Sequence, residues 1–159
     1  MSISRPLLLF SCIVGIVLLG AVSGIASGTG LRVWYATLQK PFFNPPSWLF
    51  GPVWTILYAL MGFALYRIWE LPPSSDRSML FSLFIIQLIL NLAWSFLFFY
   101  FQRPDWALAE IILLWGFILW LIIRFYPLDK LAAGLQIPYL LWVSFASVLN
   151  ASLWWLNRN

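Results

Sequence analysis

Three stretches place amide, hydroxyl and aromatic side chains at helical spacing inside otherwise apolar sequence. Gln87, Asn91 and Ser95 follow one another at four-residue steps and lead into Phe98 and Phe99. Tyr139, Trp142, Ala146 and Asn150 fall at i, i+3, i+7 and i+11. Trp54 and Tyr58 are one turn apart. Residues three and four apart share a helix face, so each set is a single stripe. If the stripes converge, they enclose an aromatic-walled cavity with a few fixed donors and acceptors, which describes a small-molecule site. Such a cavity suits a large, flat, hydrophobic ligand that stacks on indole and phenol rings. Taken singly, each stripe is better explained by hydrogen bonding between helices; it is the match of three that points to a ligand.

Other chemistries find no support. The chain has no histidine and one cysteine, Cys12, set in an apolar run. With methionines only at positions 1, 61 and 79, no group has metal-ligand spacing, and no disulfide framework exists. There is no pair of buried carboxylates and no glycine-rich phosphate loop, so nothing supports hydrolytic or acid–base catalysis. A light-driven reaction of a bound pigment needs none of these groups and stays open. Glu110 lies about 7 Å inside an apolar run by helical rise, and a carboxylate reaching water from the interface is expected there. The net charge of +4 suits anionic headgroups or an anionic ligand, and equally ordinary loop charges.

The elements that must position these residues are membrane spans. Of the 159 residues, 63% are hydrophobic and 9% charged, and the mean hydropathy is +0.91. No charge lies between Arg5 and Arg32, Lys40 and Arg67, Arg77 and Arg103, or Lys130 and Arg158. A fifth apolar run, 106–126, is broken only by Glu110 and Arg124. Crossing ~30 Å of hydrocarbon takes about 20 residues of helix, and each window is long enough. The runs are continuous rather than alternating, so helices and not a barrel are expected. The expectation is an all-α membrane protein: one polytopic domain over 1–159, with spans at about 6–27, 46–69, 78–101, 106–126 and 131–156.

Span one also resembles a signal peptide, but its apolar run continues past a typical hydrophobic region. Its Gly20, Gly24 and Gly28, flanked by Ser23 and Ser27, form a strip for close helix approach, in a dimer or within the bundle. In the first loop, 28–45, Leu31, Trp34, Tyr35 and Leu38 share one face of a short interfacial helix, with Arg32 and Lys40 off that face. Pro41, Pro45 and Pro46 then hold the chain extended, and Pro46 is placed in the first turn of span two. Ser75 or Asp76 is expected to cap span three, Asp105 span four and Asp129 span five. Pro127 stops span four, and Pro138 frees a carbonyl near Gly134 that is to be met by a neighbour or by a local kink. Basic residues divide almost evenly between the two sides and give no orientation.

These stretches resemble a known family. WYxxLxKPxxxPPxWxFxxxWxxLY at 34–58, QLxLNxxWSxxFF at 87–99 and PYLxWxxxAxxLN at 138–150 are similar to the translocator protein family, also called tryptophan-rich sensory proteins or peripheral-type benzodiazepine receptors. The order and spacing match over nearly the whole chain, spans one and four mainly by hydropathy. The resemblance implies a five-helix bundle, often a homodimer, with the long first loop folded over a pocket. It implies binding of porphyrins such as protoporphyrin IX and haem, of benzodiazepine-type drugs, and of cholesterol in animals. Carried over by position, Trp34, Tyr35, Pro41 and Pro46 belong to the lid, and Trp54 and Tyr58 to the wall of span two. Gln87 and Asn91 become pocket amides, with Trp142, Ala146 and Asn150 on span five. Trp54 and Trp142 are the indoles linked to proposed porphyrin photodegradation.

Two departures limit the carry-over. Phe43 stands where many members have tryptophan. After Leu149 the chain reads NASLWWLNR, without the tyrosine of the animal cholesterol motif, so binding of cholesterol through that motif is not expected. The expected function is binding of tetrapyrroles or related hydrophobic molecules, for transport, sensing or disposal. The alternatives are light-dependent porphyrin degradation and a lipid- or sterol-binding receptor. A secondary transporter is disfavoured by the lack of internal repeats and of a deep charged residue. No cofactor is required; membrane lipids are partners and nucleic acid is not. Any haem bound here would lack a histidine axial ligand.

Overall fold

The fold comes from a computed structural model, which describes residues 4–158 except the side chains of 26, 27 and 29–32. The expectations for Ser27, Leu31 and Arg32 therefore lie outside the described side chains. In order, the elements are α1 (Arg5–Arg32), α2 (Trp34–Thr37), α3 (Ser47–Glu70), α4 (Ser75–Ser95), α5 (Pro104–Phe125), α6 (Lys130–Leu135) and α7 (Ile137–Leu156). A π-helical turn, Phe96–Tyr100, prolongs α4. No strand is present among the described residues. Among the described residues five helical stretches are long and apolar enough to cross a membrane: Arg5–Ile25, Ser47–Glu70, Ser75–Tyr100, Pro104–Phe125 and Lys130–Leu156.

Several boundaries differ from the sequence reading, each for a local reason. Helix α1 runs on to Arg32, because an apolar window ends before anything breaks the helix. Helix α2 is then one turn, Trp34–Thr37, and the chain is extended by Leu38. Pro46 precedes α3 as its N-cap, with φ −61° and ψ 140°, instead of entering its first turn. Ser74, not Ser75 or Asp76, caps α4: its hydroxyl accepts from the Arg77 amide at 3.1 Å. Its extended φ of −160° is what an N-cap needs. Asp76 instead faces Arg124 at 3.5 Å. Helix α5 starts at Pro104, whose fixed φ suits a first position. Asp105 is thereby inside the helix, and its carboxylate accepts from Nε and Nη2 of Arg103.

Asp129 does cap span five, accepting from the Ala132 amide at 3.0 Å. Its other oxygen takes the Arg67 guanidinium, which ties the end of α3 to the start of α6. Span five breaks at Gln136, so Pro138 falls in the first turn of a new helix. The Gln136 amide reaches across to the Leu60 carbonyl at 3.3 Å. Between α4 and α5 the chain reverses over three residues, with Gln102 at φ 54°.

Helices α1 and α3 make the closest approach. A Cβ on Gly62 would strike the backbone of Cys12 and Ile13, and one on Gly20 would strike the Tyr58 ring. Gly20, read as part of a strip for a second helix, therefore packs inside its own chain. Met61, Ala64 and Ile68 of α3 meet Leu80 and Phe84 of α4 and Ile118 of α5 in one buried core. That core fills the half of the bundle away from the first loop.

Gly62→Ala is expected to cost about 1–3 kcal/mol, since backbone cannot move aside for the added methyl. Gly116→Ala, with open space around it, should cost nothing measurable. Unfolding of reconstituted protein in increasing SDS compares the two.

Candidate ligand cavity

On the first-loop side the helices separate and leave a cavity of about 350 Å³. That lies at the lower end of ordinary ligand sites. Four helices and the lid line it. Helix α1 gives Val17, Gly20, Ala21 and Gly24; α3 gives Phe50, Gly51, Trp54, Thr55 and Tyr58. Trp94, Ser95, Phe98 and Phe99 come from the third span, and Trp142, Ala146, Leu149, Asn150 and Leu153 from α7. Tyr35 closes it from above.

A chain of hydrogen bonds fixes the floor. The Tyr58 hydroxyl donates to Asn91 Oδ1 at 2.6 Å, and Asn91 Nδ2 donates to the Tyr139 hydroxyl at 2.9 Å. All three residues are buried and come from three different spans. Trp54 stacks on the Tyr58 ring at 5.5 Å and meets Tyr139 edge-on at 6.4 Å. The hydrogen-bonded tyrosines thus hold the indole that faces the cavity.

A second set fixes the back wall. Trp94 Nε1 donates to Asn150 Oδ1 at 3.1 Å, and Asn150 Nδ2 donates to the Pro104 carbonyl at 2.7 Å. Trp94 stacks on Phe98 at 5.1 Å. Asn150 therefore lines the cavity with its amide already engaged. Trp142 packs against Phe50 and Phe145, and its indole N–H is buried with no hydrogen-bond partner.

The lid is held by side chains rather than by regular structure. The Tyr35 hydroxyl donates to Asn44 Oδ1 at 2.6 Å. Burial pushes the Tyr35 phenol above its ordinary pKa, and the Asn44 hydrogen bond opposes this more weakly, so the proton stays in place to donate. At the end of span five, Asn157 takes the Gln39 amide N–H at 2.9 Å and returns a bond to the Gln39 carbonyl at 3.0 Å. Lys40 lies 5.1 Å from the centroid of the Tyr35 ring.

Of the residues singled out from the sequence, Tyr35, Trp54, Tyr58, Trp142, Ala146 and Asn150 are brought together around the cavity. Asn91 sits behind it, lining a much smaller void with Trp54 and Trp94. Trp34 packs edge-on against Phe98 at 5.5 Å and does not reach the cavity. Pro41 and Pro46 shape the lid chain without lining the space. Gln87 is fully buried elsewhere, and neither atom of its amide has a partner. The reason is drift: each four-residue step turns a helix by about 40°, so Gln87 lies about 80° around and ~12 Å along from Ser95. Glu110 does not reach water as expected; both its oxygens are enclosed without a hydrogen-bond partner.

The sequence reading missed the wall contributed by α1, whose Ala and Gly carry no chemical signal. It also missed Trp94, although it stands in the same segment as Asn91 and Ser95. Among the described residues no group of three His, Cys, Asp or Glu side chains could hold a metal ion.

Comparison with known proteins gives one consistent result. The profile of the TspO/MBR family matches residues 12–156. The tryptophan-rich protein TspO of Archaeoglobus fulgidus is 41% identical over 149 residues, covering 94% of this chain and 96% of that protein. The translocator protein of Homo sapiens is 40% identical over 134 residues, covering 83% and 79%. The tryptophan-rich sensory protein of Cereibacter sphaeroides is 37% identical over 143 residues, covering 87% and 89%.

Two outcomes follow from the hydrogen bonds. Asn91→Ala strands two buried tyrosine hydroxyls and is expected to cost about 1–2 kcal/mol, more than Tyr58→Phe, in SDS unfolding. Asn157→Ala should raise hydrogen exchange at the Gln39 amide at least about tenfold, leaving exchange in α4 unchanged.

Proposed function

The chain belongs to the TspO/MBR family and is a multi-pass integral membrane protein, and from that premise we propose that its cavity binds porphyrins or related tetrapyrroles. The observation that carries this reading is that Trp54 and Trp142 line one apolar space together. A flat macrocycle placed there stacks on indole faces and on Phe98. The engaged amides and hydroxyls of the walls suit such a ligand, because little polar surface is left to be stranded by it.

A tetrapyrrole with carboxylate side chains has a second requirement, a cation at the mouth. Lys40, beside Tyr35, supplies one on the lid side. The macrocycle then lies among the spans, with its acids toward the interface. Transport, sensing and disposal all begin with this bound state. Light-dependent degradation is the second reading, favoured by the buried Trp142 indole N–H that lacks a partner beside the cavity. Illumination of the bound complex separates the two: a new product spectrum, faster than bleaching in detergent alone, marks a reaction.

Titration of protoporphyrin IX, followed by tryptophan quenching, tests the binding site. The Trp54→Phe, Trp142→Phe double variant is expected to weaken Kd by about tenfold, since each indole face contributes roughly 0.5–1.5 kcal/mol beyond buried area. Unchanged affinity would remove the assignment.

A further inference from the structure

The cavity does not end at a closed wall between α1 and α3. These helices touch at Gly62 and again where Gly20 packs on Tyr58. Beyond that contact, toward the lid, they part. Ala21 and Gly24 on α1, and Gly51 and Thr55 on α3, line the cavity and are exposed rather than packed against a neighbour. A Cβ built on Gly24 or on Gly51 meets no atom within 4 Å. Among the described residues the seam is therefore a gap rimmed by small side chains, not a packed crossing.

Its depth decides what it faces. Gly51 and Thr55 lie about 6–12 Å inside α3 by helical rise, and Ala21 and Gly24 fall within the apolar stretch Arg5–Ile25 of α1. The gap opens into hydrocarbon below the headgroups. Among the described residues of the rim the hydroxyl is that of Thr55, whose Oγ1 already donates to the Gly51 carbonyl at 2.9 Å. Above the gap the lid is fastened to the end of span five through the two Asn157–Gln39 bonds.

We propose that ligands pass between the bilayer and the cavity sideways, through the seam between spans one and two bounded by Ala21, Gly24, Gly51 and Thr55. This rests on the reading of the cavity as a ligand site. The route selects for molecules dissolved in the membrane: an apolar, flat ligand slides between two small-residue rims, while a water-soluble one never reaches them. The lid then retains the ligand and keeps water out without having to open at each exchange.

The test uses a block added after folding. Thr55→Cys in a Cys12→Ser background is purified and reconstituted in nanodiscs, then measured before and after labelling with a bulky maleimide. Ile112→Cys, on the exposed face of α5 away from the cavity, is the labelled control. Stopped-flow quenching gives the association and dissociation rates of protoporphyrin IX. With the seam as the route, the Thr55 label slows association and dissociation together by about tenfold or more, because a blocked gate raises the barrier in both directions. Gly24→Leu, on the opposite rim, slows both in the same way, and the Ile112 label changes neither. Unchanged rates with the Thr55 label, or a weaker Kd with an unchanged association rate, would overturn the route. No saturable binding by the wild-type protein would overturn the cavity's reading, and the route with it.

Discussion

The site depends on one hydrogen-bonded chain, Tyr58 to Asn91 to Tyr139. In hydrocarbon no water stands ready to satisfy a hydroxyl or an amide, so such groups must find one another. Here they do so across spans two, three and five, at the level where the packed half of the bundle gives way to the cavity. The chain sets the distance between those spans and the orientation of Tyr58. Tyr58 in turn carries Trp54 on its upper face and Gly20 of span one against its edge. One buried network thus positions a stacking indole and the point from which α1 and α3 diverge.

From that level upward, the structure exchanges packing for space. Below it, Met61, Phe84, Ile118 and their neighbours fill the bundle. Above it, aromatic side chains stand against each other as walls: Trp94 on Phe98, Trp142 on Phe50 and Phe145. Walls of this kind need support from behind, since nothing fills the space they face. Trp94 is held by Asn150, and Asn150 by the Pro104 carbonyl at the head of α5. The lid is braced in the same manner, with Tyr35 on Asn44 and Gln39 on Asn157. Amide side chains do this work throughout because an amide both donates and accepts, and so links two groups with one residue.

Much of this could be read from the chain. Charge spacing marks four spans, because charges are expelled from hydrocarbon, and the fifth stands out by its apolar run despite Glu110 and Arg124. The stripe of span five lines the cavity from Trp142 to Asn150, as these residues stay within one helix face, while Tyr139 stands behind Trp54. The stripe of span three is correct only near its end, because steps of four drift and Gln87 turns away from the space that Ser95 lines. Caps were harder. Ser74, Ser75 and Asp76 are all good capping types, and the choice falls to the backbone angle of Ser74, which depends on how the chain leaves α3. Asp105 is drawn to Arg103 because Pro104 fits the first helical position better. The π turn at Phe96–Tyr100 and the wall from α1 left no mark at all. A wider turn has no residue signature, and glycine and alanine reveal the space they leave only once a neighbouring helix is in place.

A structure of the protein in a lipid nanodisc with zinc protoporphyrin tests the central claim most directly. The account predicts macrocycle density beneath Tyr35, between Trp54 and Trp142, with its carboxylates toward Lys40 and the Tyr58–Asn91–Tyr139 chain intact below it. Density confined to the outer surface of the bundle, with the cavity filled by lipid or collapsed, would contradict it.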